Sequence, residues 1–458
     1  MKSKLDIFVA NETFFNELSS KAQQNNQIDP QLYKDSGAKQ GLRNVDGTGV
    51  LIGFSKVGEV QAYSQDDNGE KIPMEGRLFY RGIEITDLVK GYQNEQRHGF
   101  EEVCYLLLFG SLPNKNQLLQ FKETLGKNRT LPDGFTEDMI LKAPSSDIMN
   151  KLARNVLTCY SYDSNPEDNS LSNVLRQSIE LIAEFPTMSA YGYQAKVHFY
   201  DQMSLFIHIP DPELSTSENF LHLIRPNNRY TKLEAEVLDL CLVLHAEHGG
   251  GNNSTFTARV VTSTDTDTYS AIAAAVGSLK GPKHGGANIK VTQMMEDIKQ
   301  NVKDWNNEKE LEDYLAKIIK KEAFDRTGLL YGIGHAVYTL SDPRAILLKE
   351  KAKELAKEKH LEEEFNLYCS IEKLAPQVFS EINKDVRTIV PNVDFYSGFV
   401  YKMLNIPLEL YTPIFAMSRV AGWCAHRIEE LVNSGKIIRP AYKNIIEKSS
   451  FIPLEQRT

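Results

Sequence analysis

The stretch TKLEAEVLDLCLVLHAEHGGGN, residues 231–252, decides the fold class of this 458-residue chain. Thr231 and Glu234 have the spacing of a capping box, which predicts where a helix begins. The run that follows is apolar on nearly every side, as in a helix buried inside a large core. The glycines at 249–251 end the helix. We therefore expect a buried helix that carries His245 and His248 at its C-terminal end.

Patterns typical of helices continue through most of the chain after Ile83. Asp267 is a predicted N-cap, and Gly110 is a predicted helix end. The Lys/Glu-rich stretches are typical of amphipathic helices with one solvated face. Further helices are predicted within residues 100–110, 267–281, 299–325, 345–385 and 407–431.

The N-terminal part has a different pattern. Residues 1–45 are polar and predict an arm with weak helical content. Glycines and β-branched residues between Val45 and Tyr80 predict short strands and hairpins, with a turn at DDNGEK, residues 66–71. The sequence therefore predicts a mostly α fold with a small β region near the N-terminus.

Composition excludes several classes of protein. The net charge of −9 argues against a nucleic-acid-binding surface. No apolar run is long enough to span a membrane. The five cysteines are scattered and the N-terminus has no signal-peptide pattern, so we expect reduced thiols and a cytoplasmic protein.

Four of the ten histidines lie between residues 245 and 335, each beside glycines or in a turn: His245, His248, His284 and His335. Glycines let a backbone approach a ligand closely, so this pattern favours chemistry over packing. A metal site is disfavoured because HExxH spacing and a completing Cys or carboxylate cluster are absent. A GxSxG nucleophile and a Walker A loop are absent as well.

His284 follows one predicted helix end and precedes another predicted helix, GGANIKVTQMMEDI. The helix dipole disfavours imidazolium there, and a neutral imidazole can donate a hydrogen bond to a carbonyl oxygen that gains charge. A simple capping role is the alternative. Asp394 in PNVDFYSG is either a turn former or, paired with such a histidine, a general base for a carbon acid.

Three arginines are candidates for binding carboxylates: Arg344, Arg419 and Arg439. A guanidinium binds a carboxylate through two parallel hydrogen bonds. Taken singly, each has the alternative of a surface position or an ordinary salt bridge.

Together the motifs resemble the citrate synthase family over roughly residues 45–440. The matching segments, in order, are DGTGVLIG, GRLFYRGIEITDL, HAEHGGGNNSTFTARV, SAIAAAVGSLKGPKHGGAN, GIGHAVYTLSDPR, PNVDFYSG and AMSRVAGW. The resemblance implies a two-domain helical fold, with residues 1–285 and 405–458 in a large domain and 286–404 in a small one. It also implies an active site in the interdomain cleft, and a homodimer or a multiple of dimers.

The resemblance assigns catalytic roles to three residues. His284 would hydrogen-bond the thioester carbonyl of acetyl-CoA while Asp394 removes a methyl proton. His335 would hydrogen-bond and protonate the ketone oxygen of oxaloacetate. The citryl-CoA so formed would then be hydrolysed to citrate and CoA. The CoA thioester is a substrate, and neither a cofactor nor a metal is implied.

Oxaloacetate would be held by five residues: His248, His335, Arg344, Arg419 and, from the neighbouring subunit, Arg439. Two features depart from the family pattern. Thr339 stands where relatives often have a basic residue for CoA phosphates, and Lys283 before His284 is not expected in every relative. His245 receives no role.

Three alternatives remain open. A 2-methylcitrate synthase would use propionyl-CoA, and one methylene changes binding by only about 1–3 kcal/mol in an apolar pocket. A non-catalytic relative would use the cleft to sense CoA or dicarboxylates. A metal-dependent hydrolase is the weakest.

Overall fold

The computed structural model describes residues 12–44, 47–66, 70–335, 337–383, 389–433 and 435–457. The chain divides into two compact units, Met1–Phe54 and Ser55–Thr458. In the first unit, helices α1 (Glu12–Asn26) and α2 (Gln31–Ser36) have no buried residue along their described lengths. The exposed, polar character agrees with the predicted arm, but helices cover most of its described residues, so the prediction of weak helical content is wrong.

The second unit begins with a small antiparallel sheet. Its strands are β1 (Gly58–Gln65), β2 (Lys71–Tyr80) and β3 (Ile83–Glu84), with β2 in the centre. The β1–β2 register shifts between Gln61 and Tyr63. The predicted β region is confirmed, whereas residues 67–69 of the predicted turn lie outside the described residues.

Fifteen α-helices follow the sheet in the described chain. They are α3 (Ile85–Asn94), α4 (Phe100–Phe109), α5 (Lys115–Lys127), α6 (Ile148–Tyr162), α7 (Leu171–Phe199), α8 (Thr216–Ile224), α9 (Lys232–His245), α10 (Asn253–Thr262), α11 (Thr268–Lys280), α12 (Ala287–Asn301), α13 (Glu308–Ile319), α14 (Pro343–Lys359), α15 (Glu362–Asn383), α16 (Val393–Met403) and α17 (Tyr411–Val432). A π-helical turn lies at Thr136–Leu141, and 3₁₀ turns lie at Gln40–Leu42, Leu408–Leu410 and Leu454–Gln456.

Most helix signals in the sequence are borne out, but α9 ends at His245, so the predicted helix end at the glycines 249–251 is wrong and His248 lies beyond the helix. Thr231 and Glu234 form the capping box of α9, which is buried along most of its length. Asp267 caps α11, and Gly110 ends α4 with a φ of 82°. The mostly α fold class is therefore confirmed.

Helix α17 lies at the centre of the second unit. It is buried continuously from Tyr411 to Ile428 and packs against α4, α7, α9, α10 and α11. The predicted domain boundaries at residues 286 and 404 stay a prediction. No helix within the described ranges is long and apolar enough to cross a membrane.

Tyr80 joins the sheet to the end of α9. Its hydroxyl donates toward the carbonyl oxygens of Val243, at 2.9 Å, and Glu247, at 3.1 Å, and accepts from the Glu247 N–H at 3.3 Å. Since Tyr80 is fully buried, these bonds satisfy backbone groups that water does not reach. The central strand β2 thereby fixes the segment that follows α9.

We expect Tyr80→Phe to lower the free energy of unfolding by about 1–3 kcal/mol, because it leaves buried backbone groups unsatisfied. Urea denaturation followed by circular dichroism measures the change. Tyr63→Phe is the matched control on the neighbouring strand, since Tyr63 is 43% exposed. Equal losses for the two variants would contradict the assignment.

Candidate active site

The structure brings six of the seven predicted site residues together. Each comes from a different segment: His248 follows α9, His284 precedes α12, His335 lies before α14, Arg344 is in the first turn of α14, Asp394 is in the first turn of α16, and Arg419 is in the middle of α17. Their charges act on one another's pKa values across this cluster. Helix termini and loops thus converge on two buried guanidinium groups, those of Arg344 and Arg419.

Two histidines and a tyrosine form the aromatic part of the cluster. The ring centroids of His248 and His335 are 5.4 Å apart, and Tyr338 lies 4.5 Å from His335 and 5.6 Å from His248. Arg344 lies over the Tyr338 ring at 5.9 Å. Tyr338 was not predicted as a site residue, although it is three residues from His335 in the same motif.

Hydrogen bonds join the loop before His335 to the loop before Asp394. The Gly334 N–H donates to the Val390 oxygen at 2.7 Å, and the Asn392 N–H donates to the Gly332 oxygen at 2.9 Å. The Asn392 side chain adds a bond to the Gly334 oxygen at 2.9 Å. Gly334 has a φ of 102°, a conformation that few residues other than glycine adopt. The glycine before His335 is therefore required by the loop geometry.

The backbone fixes the tautomer of His335. Its Nδ1 accepts the N–H groups of Val337 and Tyr338, both at 2.9 Å. Nδ1 is therefore the unprotonated nitrogen, and Nε2 carries the hydrogen. Burial, assisted by the charge of Arg344, lowers the pKa of His335 to about 4. His335 is a neutral donor through Nε2.

His284 has the opposite tautomer. Its Nε2 accepts the Ser254 N–H at 3.3 Å and lies 2.9 Å from the Ser254 hydroxyl, so Nδ1 carries the hydrogen. Burial and then Arg419 lower the pKa of His284 to about 4. This agrees with the predicted neutral imidazole, but burial rather than the helix dipole is the main cause.

Asp394 is the second residue of α16. Asn392 supplies the capping oxygen that accepts the Asp394 N–H at 3.0 Å. Burial raises the pKa of Asp394 to about 6, while Arg344 and Arg419 limit the rise. A carboxyl group with this pKa is deprotonated at neutral pH and more basic than an ordinary aspartate.

The two buried arginines are in different states. Asp342 accepts from Nε of Arg344 at 3.0 Å and from Nη2 at 2.8 Å, so this guanidinium is already paired. Arg419 is fully buried, and its Nε donates to the His245 oxygen at 2.6 Å. Its Nη1 and Nη2 have no partner within the described part of the chain. Arg419 therefore presents two free donors in a buried setting.

Arg439 is the exception among the predicted residues. It lies exposed in the segment 435–457 that follows α17, and no contact places it among the six within the described residues. Its predicted contribution from a neighbouring subunit stays a prediction.

Sequence reasoning missed two further neighbours of the cluster. Phe415 lies 4.8 Å from the Arg419 guanidinium, 4.8 Å from the His245 ring and 6.1 Å from the His284 ring. Phe415 lies four residues before Arg419 on α17. This spacing places two side chains on the same face of a helix, so the contact could have been inferred from the sequence. Ser254, which orients His284, accepts the Trp423 indole N–H at 3.1 Å.

Two residues left uncertain by the sequence have clear positions. The Thr339 hydroxyl donates to the Ala62 oxygen of β1 at 3.2 Å. His245 is buried, with its Nδ1 2.8 Å from the Cys241 oxygen, and burial lowers its pKa to about 3. Among the residues described, no three His, Cys, Asp or Glu side chains are grouped to hold a metal ion.

Comparison with known proteins identifies the family. The family described as "Citrate synthase, C-terminal domain" matches residues 47–441. The citrate synthase of Synechocystis sp. is 33% identical and covers 84% of this chain and 89% of its own length. A 2-methylcitrate synthase of Corynebacterium glutamicum is 32% identical and covers 93% of this chain and 100% of its own.

A solved structure agrees with the sequence comparison. It is the ternary complex of carboxymethyl coenzyme A and oxaloacetate with the citrate synthase of Thermoplasma acidophilum. It superposes with a TM-score of 0.71 at 27% identity and covers 89% of this chain and 97% of its own. The chain therefore belongs to the citrate synthase family, a family of enzymes that form citrate.

Proposed function

We propose that this enzyme condenses acetyl-CoA with oxaloacetate and water to give citrate and CoA, without a cofactor or a metal ion. One arrangement carries the proposal: two neutral imidazoles with opposite tautomers lie beside a carboxyl group of raised pKa and a guanidinium with free donors. The solved relative that holds a CoA analogue and oxaloacetate supports both substrates.

The first step is removal of a methyl proton from acetyl-CoA. The Asp394 carboxylate takes the proton, and the C–H electrons form the carbon–carbon double bond of an enol or enolate. Negative charge develops on the thioester oxygen at the same time. The Nδ1–H of His284 donates to that oxygen, which stabilises the charge as the base acts.

The second step forms the carbon–carbon bond. The enol carbon attacks the ketone carbon of oxaloacetate, and the ketone oxygen takes a proton from Nε2 of His335. The pKa of about 4 belongs to the imidazolium form, so burial and the charge of Arg344 keep His335 neutral, and the proton that it gives is the Nε2 hydrogen of the neutral ring. Water then hydrolyses citryl-CoA to citrate and CoA.

The carboxylates of oxaloacetate are bound by His248, Arg344 and Arg419, with His335 at the ketone. The free Nη1 and Nη2 of Arg419 support the main contact with one carboxylate. Arg439 of a neighbouring subunit completes the set in a homodimer or a multiple of dimers. Closure of the predicted small domain, 286–404, onto the rest would exclude water until condensation is complete. We assign the protein to the cytoplasm and the tricarboxylic acid cycle.

The substrate test compares acetyl-CoA with propionyl-CoA. We expect CoA-thiol release in the presence of oxaloacetate, with higher kcat/KM for acetyl-CoA, measured with a thiol reagent. A propionyl-CoA preference would assign the chain to the 2-methylcitrate synthases, which are represented among the relatives. No turnover with either thioester would overturn the catalytic proposal.

Asp394→Asn is expected to lower kcat by about 10²- to 10⁴-fold, the range typical of a lost general base. The amide keeps the shape of the side chain, so the circular dichroism spectrum and thermal midpoint should stay close to those of the unchanged protein. CoA-thiol release gives the rate. Turnover within a few fold of normal would show that another group removes the proton.

The pH profile should report the raised pKa of Asp394. Above pH 6 the carboxylate is free to act as base, and kcat/KM should fall about tenfold per unit as the pH drops below about 6. His284 and His335, with pKa values of about 4, stay neutral over this range. Initial rates from pH 5 to 8 test this, with circular dichroism at each pH as the control. A value of kcat/KM that stays constant down to pH 5 would contradict it.

A further inference from the structure

Glu247 is a buried carboxyl group that the proposed reaction does not use. It lies between His245 and His248 and is fully inaccessible to solvent. Its Oε1 accepts the Gly249 N–H and lies 3.0 Å from Nε2 of His426 on α17. A buried carboxylate needs such partners, because its desolvation is costly.

Two glycines make room for this carboxyl group. A Cβ at Gly58 of β1 would lie 2.6 Å from Cγ of Glu247, and a Cβ at Gly422 of α17 would lie 2.6 Å from its Oε2. Both distances are shorter than van der Waals contact. The sheet and the central helix therefore enclose Glu247 from opposite sides and leave it one position.

The proton on His426 can be placed from its neighbours. Its Nδ1 is 2.9 Å from Nη2 and 3.2 Å from Nε of Arg259 on α10. A guanidinium has only donors, so Nδ1 of His426 accepts and Nε2 carries the hydrogen. Arg259 is itself paired with Glu429 and Glu430. A directed series results, in which Arg259 donates to His426 and His426 donates to Glu247.

The charge of Glu247 acts on Arg419. Burial alone would raise the pKa of Glu247, but His426, Arg419 and the Gly249 N–H together hold it below its ordinary value. Burial lowers the pKa of Arg419 to about 10, and Glu247 is the foremost group that opposes this. Glu247 makes no hydrogen bond to Arg419 among the described contacts, unlike Asp342 with Arg344.

We propose that Glu247, held by His426, is a positioning residue for binding the dicarboxylate substrate. Its bond to Gly249 sets the turn that follows His248, where Gly249 has a φ of 83°. Its charge balances Arg419 without occupying Nη1 and Nη2. This inference rests on the proposed function, because it takes oxaloacetate as the ligand of Arg419 and His248.

The test compares two substitutions at His426. In His426→Gln, the amide N–H can donate to Glu247 and the amide oxygen can accept from Arg259, whereas His426→Leu removes both bonds. We expect the leucine variant to raise KM and Kd for oxaloacetate roughly tenfold or more, the scale of a lost charge-assisted hydrogen bond, with KM for acetyl-CoA within about threefold. The glutamine variant should stay within about threefold for both substrates.

Glu247→Gln tests the charge itself and decides the matter if His426→Leu does not fold. It keeps the shape of the side chain and should weaken oxaloacetate binding roughly tenfold or more. Arg427→Gln is the matched control: Arg427 is buried on α17 one residue from His426 and bonds Thr268 and Asn169. It should lower the thermal midpoint and leave the Kd for oxaloacetate unchanged.

Calorimetric titration of oxaloacetate alone separates this inference from the proposed function. An unchanged protein that does not bind oxaloacetate would overturn both. If the unchanged protein binds oxaloacetate, and Glu247→Gln and His426→Leu bind it equally well, only the role of Glu247 is overturned. If His426→Gln binds oxaloacetate as weakly as His426→Leu does, the role of Glu247 is also contradicted, because the retained hydrogen bonds would then have no effect.

Discussion

The site depends on the burial of one guanidinium, that of Arg419, whose Nη1 and Nη2 have no hydrogen-bond partner within the described part of the chain. Arg419 sits in the middle of α17 without exposure to solvent, and its field reaches the imidazoles of His248 and His284 as well as the Asp394 carboxyl group. In a low-dielectric core, positive charge on a neighbouring histidine is disfavoured, and negative charge on a neighbouring carboxylate is favoured. Arg419 therefore adds to the effect of burial in keeping His248 and His284 neutral, and it limits the effect of burial on the pKa of Asp394.

Local features of the fold could be predicted from the sequence, because they depend on residues close together in the chain. The Thr231–Glu234 capping box, the Asp267 cap and the Gly110 helix end involve spacings of a few residues. The residues that form the cluster could also be predicted, because they lie in the motifs that resemble the citrate synthase family. The pattern of residues was sufficient to place the imidazoles next to helix ends and glycines.

The tautomers and the hydrogen-bond pairing of the site residues could not be predicted in the same way. The tautomer of His284 depends on Ser254, which is thirty positions away in the sequence. Arg344 is paired with Asp342, whereas two nitrogens of Arg419 have no hydrogen-bond partner among the residues that the structure describes, and residue type alone does not distinguish these two states. The hydrogen-bond partner of Thr339 is Ala62 on β1, which is 277 positions away in the sequence. Such properties follow from tertiary contacts.

The bonds between residues 332–334 and 390–392 have a mechanical consequence. Three hydrogen bonds, two of which form an isolated β-bridge between Ile333 and Pro391, join the loop before His335 to the loop before Asp394. A hinge elsewhere in the chain would carry the two loops as a single body. His335 and Asp394, the proposed proton donor for one substrate and proton acceptor for the other, would then keep their mutual alignment throughout an opening and closing cycle. Only their distance from the remaining groups would change.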